Sequence, residues 1–146
     1  MTRSILLYSI DEPSEDERIE KIRKKIKSLL ESLGDERKAL ERFSETPRKW
    51  KFEEKKKNYR VELKIGKIPG SNKKIVRGFC VYWKEKGISP GFPFEIAILT
   101  ISYQETLGWS FSILEGDDIL SWVEEHLDEI LEDIRRIMER FILLAL

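Results

Sequence analysis

The stretch GDDILSWVEEHLDEILEDIRRIMERFILLAL, residues 116–146, decides the fold. Within it Ile119, Val123, Leu127, Ile130, Ile134, Ile137 and Phe141 recur at intervals of three and four, the spacing of one helical stripe. The acids Asp117 and Asp118 stand at its start and Arg135, Arg136 and Arg140 near its end, the order the helix dipole favours. A helix this long with one continuous apolar stripe must lie across another apolar surface. The rest of the chain has to supply that surface.

Working back from Gly116, the periodicity changes. Leu107, Trp109, Phe111 and Ile113 alternate with small polar residues. Tyr59, Val61, Leu63 and Ile65 alternate with Arg60, Glu62 and Lys64, and Trp50 and Phe52 alternate with charges. Period two with one apolar side predicts half-buried strands. A further strand is expected from Ile75 to Trp83. Phe94 to Tyr103 is almost continuously apolar, which predicts a central strand covered on both faces. Turn-forming clusters at 67–72, 87–93 and 104–106 separate these runs. At the other end, Arg3 to Ile10 reads as a short strand, and Ser14 with Glu17 as a capping box. Ile19, Ile22, Ile26, Leu29 and Leu33 then mark a helix that Gly34 stops, followed by a shorter helix from Asp35 to about Phe43.

The expectation is one α+β domain over residues 1–146. It comprises an N-terminal strand-helix unit, an antiparallel meander of about five strands, and the long helix packed across the sheet. This element order is similar to the helix-grip and TATA-binding-protein-like topologies, in which a curved antiparallel sheet holds a C-terminal helix. Such folds carry unrelated functions, so the resemblance implies architecture and not activity.

Composition narrows the function classes. One cysteine, Cys80, excludes an internal disulfide framework or a cysteine-based zinc cage. The runs at 5–8 and 141–146 are too short to cross a bilayer, so a soluble, cytoplasmic protein is expected. Charged residues make up 37% of the chain against about 25% in typical domains, the excess being mainly Glu and Lys. With few Asn, Gln, Met and Cys residues, this composition suits a thermophile.

Formal charge is zero overall but unevenly distributed. Residues 46–86 carry a net +10 and residues 87–146 a net −9. The basic stretch includes Arg48, Lys49, Lys51, Lys55, Lys56, Lys57, Arg60, Lys64, Lys67, Lys73, Lys74 and Arg77, interleaved with Trp50, Phe52 and Tyr59. Basic groups neutralise phosphates or carboxylates and aromatics stack on unpaired bases. A non-enzymatic binding module is therefore expected, contacting nucleic acid or an acidic protein through this region.

Other chemistry is thinly represented. Glu62-Leu63-Lys64 resembles the E-x-K of the PD-(D/E)xK nuclease family, which implies a cation held by Glu62 and a second acid, with Lys64 polarising water. Only Glu53 and Glu54 lie close upstream, and a strand follows where that family has a helix. His126, the sole histidine, flanks the apolar stripe and reads as a packing residue, and Cys80 reads as a buried, inert thiol. No catalytic residue, metal or cofactor is expected, and an enzyme is disfavoured. Two alternatives accompany the binding module. Aromatics of the meander could line a cavity for an apolar small molecule, as in helix-grip carriers. Phe141, Ile142 and Leu144 could form a homo-oligomer interface, because this end is more apolar than one helix terminus usually buries.

Overall fold

The computed structural model describes residues 3–43, 52–67, 75–85 and 94–145. Six strands and three helices follow one another as β1 (Ile5–Ser9), α1 (Glu17–Leu33), α2 (Asp35–Arg42), β2 (Glu53–Lys55), β3 (Tyr59–Lys67), β4 (Ile75–Glu85), β5 (Phe94–Gln104), β6 (Gly108–Leu114) and α3 (Asp117–Ala145). All strands join one antiparallel sheet in the order β1-β6-β5-β4-β3-β2. The meander expected from the sequence is β2 to β6. Strand β1 adds a sixth member by pairing with β6 at the far edge, Ile5 opposite Leu114 and Ser9 opposite Ser110.

Alternation decides which face meets the helices. Tyr59, Val61 and Leu63 of β3, Phe79 and Val81 of β4, and Trp109, Phe111 and Ile113 of β6 are all buried. They pack against Ile119, Val123, Leu127, Ile130, Ile134, Ile137, Met138 and Phe141 of α3 and against Ile19, Ile22, Ile26, Leu29, Leu30 and Leu33 of α1. α2 closes the same side: Trp109 Nε1 donates to Glu41 at 3.0 Å, and Arg77 Nε donates to the Phe43 carbonyl at 2.5 Å. All three helices thus lie on one face. Among the described residues nothing packs on the other, which we call the open face.

Two sequence expectations change here. Strand β5 is central, but its helix-free side carries Thr100 and Ser102, so it is not covered on both faces. A bulge explains the misleading apolar run. Tyr82 pairs with Ala97 while Val81 pairs with Leu99, leaving Ile98 as an extra residue, and Ile98 and Leu99 are both buried. The first helix also starts later than Ser14. Asp16 is the cap, accepting from the Arg18 and Ile19 amides, while Ser14 Oγ accepts from the Asp16 amide and the Ser14 amide donates to Glu20. A carboxylate is a stronger acceptor for the first-turn amides than a hydroxyl, and it sits beside the first helical residue.

Gly34, with φ of +54°, makes the left-handed junction between α1 and α2. No helix among the described residues is long and apolar enough to cross a membrane.

Candidate binding surface

Pairing aligns the open face into rows. One runs Leu7, Ser112, Thr100, Cys80, Glu62, Glu53 across all six strands. The next runs Ser9, Ser110, Ser102, Gly78, Lys64. Hydroxyl-bearing and small side chains therefore pave the middle, with aliphatic groups toward β1 and charges toward β2. Gly78 is required by packing: a Cβ there would meet the Ile101 carbonyl oxygen and come within 2.6 Å of Ser102 Cα.

The charged end centres on Tyr82. Arg60 Cζ lies 4.2 Å from the centre of its ring and Lys64 Nζ 5.0 Å, so one aromatic ring serves two cations. Arg60 also binds Glu95 at 2.8 Å and Glu53 at 3.3 Å, and pairs closely with Glu62. Burial works against the charged guanidinium, but the hydrogen bonds to Glu95 and Glu62 more than reverse it and raise its pKa. Lys64 is likewise raised, chiefly by its hydrogen bond with the Tyr82 oxygen. The Tyr82 phenol is pushed up by burial.

This geometry bears on the E-x-K motif. Glu53 does stand directly opposite Glu62, the second acid that the nuclease resemblance requires. Both acids are held by the Arg60 guanidinium, however, so a side-chain cation already occupies the cluster. No group of three or more His, Cys, Asp or Glu side chains among the described residues is arranged to hold a metal ion.

The basic residues singled out from the sequence do not share one face. Arg60 and Lys64 lie on the open face, as does Lys55, which pairs with Glu53 at 3.5 Å. Lys56 turns the other way to reach Asp133 of α3 at 3.4 Å. Arg77 is buried on the helix side, its Nε spent on the Phe43 carbonyl. Lys57 is exposed in the β2–β3 turn, and Arg48, Lys49, Lys51, Lys73 and Lys74 lie outside the described residues. Among the described residues Lys57 and Lys64 have no carboxylate partner within ion-pair distance. Of the interleaved aromatics, Phe52 is buried against Phe141 and Tyr59 against Trp122, so neither offers a ring for stacking on a base. Trp50 lies outside the described residues.

A second polar cluster lies behind the sheet, where α3 crosses β3. The Tyr59 hydroxyl donates its one proton to Asp133 at 2.7 Å, with a Glu129 carboxylate oxygen 3.3 Å away as a second acceptor. Asp133 is 1% exposed and also receives Arg136 at 2.7 Å. Burial, then the hydrogen bond to Asp133, raises the Tyr59 pKa far above its ordinary value. His126 stacks on Trp122 with centroids 4.2 Å apart, and its Nδ1 lies 2.9 Å from the Trp122 carbonyl. A carbonyl only accepts, so Nδ1 carries the proton. His126 is thus a packing residue tied to its own helix.

The remaining candidates are quickly placed. Cys80 is buried, with the Thr100 hydroxyl 3.7 Å from its sulfur. Phe141 is fully buried between Phe43 and Phe52, so it cannot serve an oligomer interface; the helical stripe that carries it into the core explains why. Ile142 is half-buried and Leu144 is exposed. Between sheet and helix, Val61, Phe79, Val81, Ile101, Phe111, Val123, Ile130 and Ile134 are each at most 1% exposed. Walls of a ligand cavity would be accessible to a water-sized probe, so these side chains fill the space a carrier would keep open.

Sequence reasoning does not single out Tyr82, the organiser of the charged end, because the pairing that sets it beside Arg60 and Lys64 is not visible along the chain. Its alternation with Val81 and Trp83 is a signal that places it outward, and its register sets it opposite Arg60. No family model matches the chain, and no curated protein and no solved structure shows significant similarity to it.

Proposed function

We propose that this chain is a non-enzymatic binding module that takes an acidic protein segment onto the open face of its sheet. The observation that carries the reading is the Tyr82 platform, where an exposed Lys64 stands over an aromatic ring with no carboxylate of its own. A carboxylate approaching Lys64 would gain a charge-assisted hydrogen bond and contact with the ring edge. Lys57, exposed in the β2–β3 turn, supplies a second cation. Arg48, Lys49 and Lys51, which precede β2, and Lys73 and Lys74, which precede β4, belong to the proposed contact set.

An acidic protein is favoured over nucleic acid by the company these cations keep. Glu53, Glu62 and Glu95 share the face with Arg60 and would repel a continuous phosphate backbone. A polypeptide of mixed charge can complement such a pattern residue by residue. The helix-grip element order and a thermophilic source are part of the same reading, the former from the long helix held by the sheet, the latter from Glu and Lys content.

Fluorescence anisotropy with a glutamate-rich peptide of mixed charge, its Glu residues interspersed with Lys, and with single-stranded DNA and RNA tests this directly. Peptide binding that weakens with salt and in Lys64→Ala is the expected result. Retention of DNA or RNA with the same Lys64 dependence would move the reading to nucleic acid. Binding of neither at low salt would end both.

A further inference from the structure

The two edges of the sheet are treated oppositely. Strand β2 is three residues long and every one is charged, as expected of a protected edge. The bonds from the Leu63 amide to the Phe52 carbonyl and from the Lys56 amide to the Tyr59 carbonyl leave Glu53 pointing its backbone groups outward. Its carbonyl is then capped by Arg140 Nη2 at 3.0 Å, and Arg140 also pairs with Glu54. That edge is short, fully charged and capped at the Glu53 carbonyl, which disfavours further pairing.

Strand β1 has none of these devices. Its sequence ILLYS carries no charge, and Ile5 and Leu7 are 70% and 68% exposed. The Glu115 amide bonds the Ser4 carbonyl and the Ile10 amide bonds the Trp109 carbonyl, which fixes the even-numbered residues as those facing β6. Ile5, Leu7 and Ser9 therefore direct their amides and carbonyls to the free edge. None of these outward groups has a hydrogen-bond partner among the described residues.

We propose that β1 pairs antiparallel with β1 of a second copy of this chain, about a two-fold axis at Leu7. That register brings all five residues of the strand into pairing: Leu7 faces Leu7 of the second copy, Ile5 faces Ser9, and Leu6 faces Tyr8. It is also the register that sets the exposed Asp11 of the second copy opposite Arg3, whose guanidinium already holds Asp118 of its own chain at 3.0 Å, so that Asp11 would join an existing pair, twice by symmetry. Shifting the axis to Leu6 or Tyr8 shortens the overlap and puts Arg3 opposite Ser9 or Pro13 instead. The arrangement is isologous, so it closes at two copies, since the outer β2 edges are capped. The two sheets become one, with Ile5 and Leu7 of both copies forming an apolar strip on the shared open face.

Light scattering on the intact chain tests the proposal, with twice 17.3 kDa as the expected mass. Leu7→Lys sets two ammonium groups face to face at the axis, and Leu7→Pro removes an outward amide; both are expected to give monomers with unchanged circular dichroism. Leu7→Cys in a Cys80→Ser background supplies a second readout. Paired Leu7 positions have Cα atoms about 5.5 Å apart in a hydrogen-bonded antiparallel pair, which suits a disulfide. Ile5→Cys is the control, because its two copies would stand four residues apart, about 13 Å. Cross-linking through position 7 and not 5 is expected. A wild-type mass of 17.3 kDa at every concentration would overturn the proposal. So would a dimer that persists in both Leu7 variants but dissociates in Leu143→Lys or Leu144→Lys, at the exposed end of α3.

Discussion

Removing the Tyr59 hydroxyl tests the buried cluster behind the sheet. Tyr59 is 3% exposed, and its hydroxyl reaches a carboxylate that is itself sealed from water. A hydrogen bond to a charged group contributes about 1.5–3 kcal/mol, so Tyr59→Phe is expected to destabilise by about 2 kcal/mol. Asp133→Asn keeps an acceptor but loses the ion pairs with Arg136 and Lys56. Those two cations reach water, so their pairing adds at most about 1 kcal/mol to the loss. The two variants share one interaction, and the double variant should fall short of additivity by about 1–2 kcal/mol. Glu129, 3.3 Å from the hydroxyl, offers partial relief in Asp133→Asn, so adding Glu129→Gln deepens the cost. Urea unfolding at pH 7 gives each value from the shift in midpoint at constant slope, and thermal melts should move by roughly 4–8 °C for 2 kcal/mol. Additive losses, or single-variant losses below about 0.5 kcal/mol, would refute the reasoning, because they would mean the cluster is hydrated and only loosely held.

Other predictions follow from separate parts of the molecule. Arg60→Met removes the guanidinium that Glu53, Glu62 and Glu95 share and should cost on the order of 2 kcal/mol at pH 7. The loss is read from the shift in urea midpoint at constant slope. Glu20 is held down to about 2 by its hydrogen bonds from Arg23 and the Ser14 amide, against an ordinary 4.5. Its contribution is present above pH 4.5 and is lost as pH falls toward 2, so Glu20→Gln should flatten the acid limb of the stability curve in that window. Gly78→Ala forces β4 away from the β5 backbone and should cost about 2 kcal/mol or more in thermal unfolding, whereas Gly66→Ala, with open space around its Cβ position, should be mild.

The long helix was the most legible element because its stripe, its acidic start and Gly116 all agree, and the observed span is Asp117–Ala145. Strand β5 was less so. A bulge placed two consecutive apolar residues inward, and one-dimensional periodicity cannot tell that from a strand buried on both sides. The start of α1 is less legible, since Ser14 and Asp16 both have capping side chains and only geometry shows that Asp16 serves the first-turn amides while Ser14 serves Asp16.

What the sequence by itself determined is the set of elements and their apolar faces, since hydrophobic burial acts on period and needs no knowledge of partners. The segmental imbalance of charge was also legible there. Only the tertiary structure decided where those charges go. Residues adjacent in β3 point to opposite faces, so Arg60 meets three glutamates on the open side while Tyr59 meets Asp133 behind it. Burial is a property each residue contributes nearly alone, but an ion pair depends on the distance between two groups, and that distance is set by register and helix placement. The same reason separates the two sheet edges: β1 and β2 are both short strands in sequence, and folding alone brings Arg140 to one and leaves the other bare.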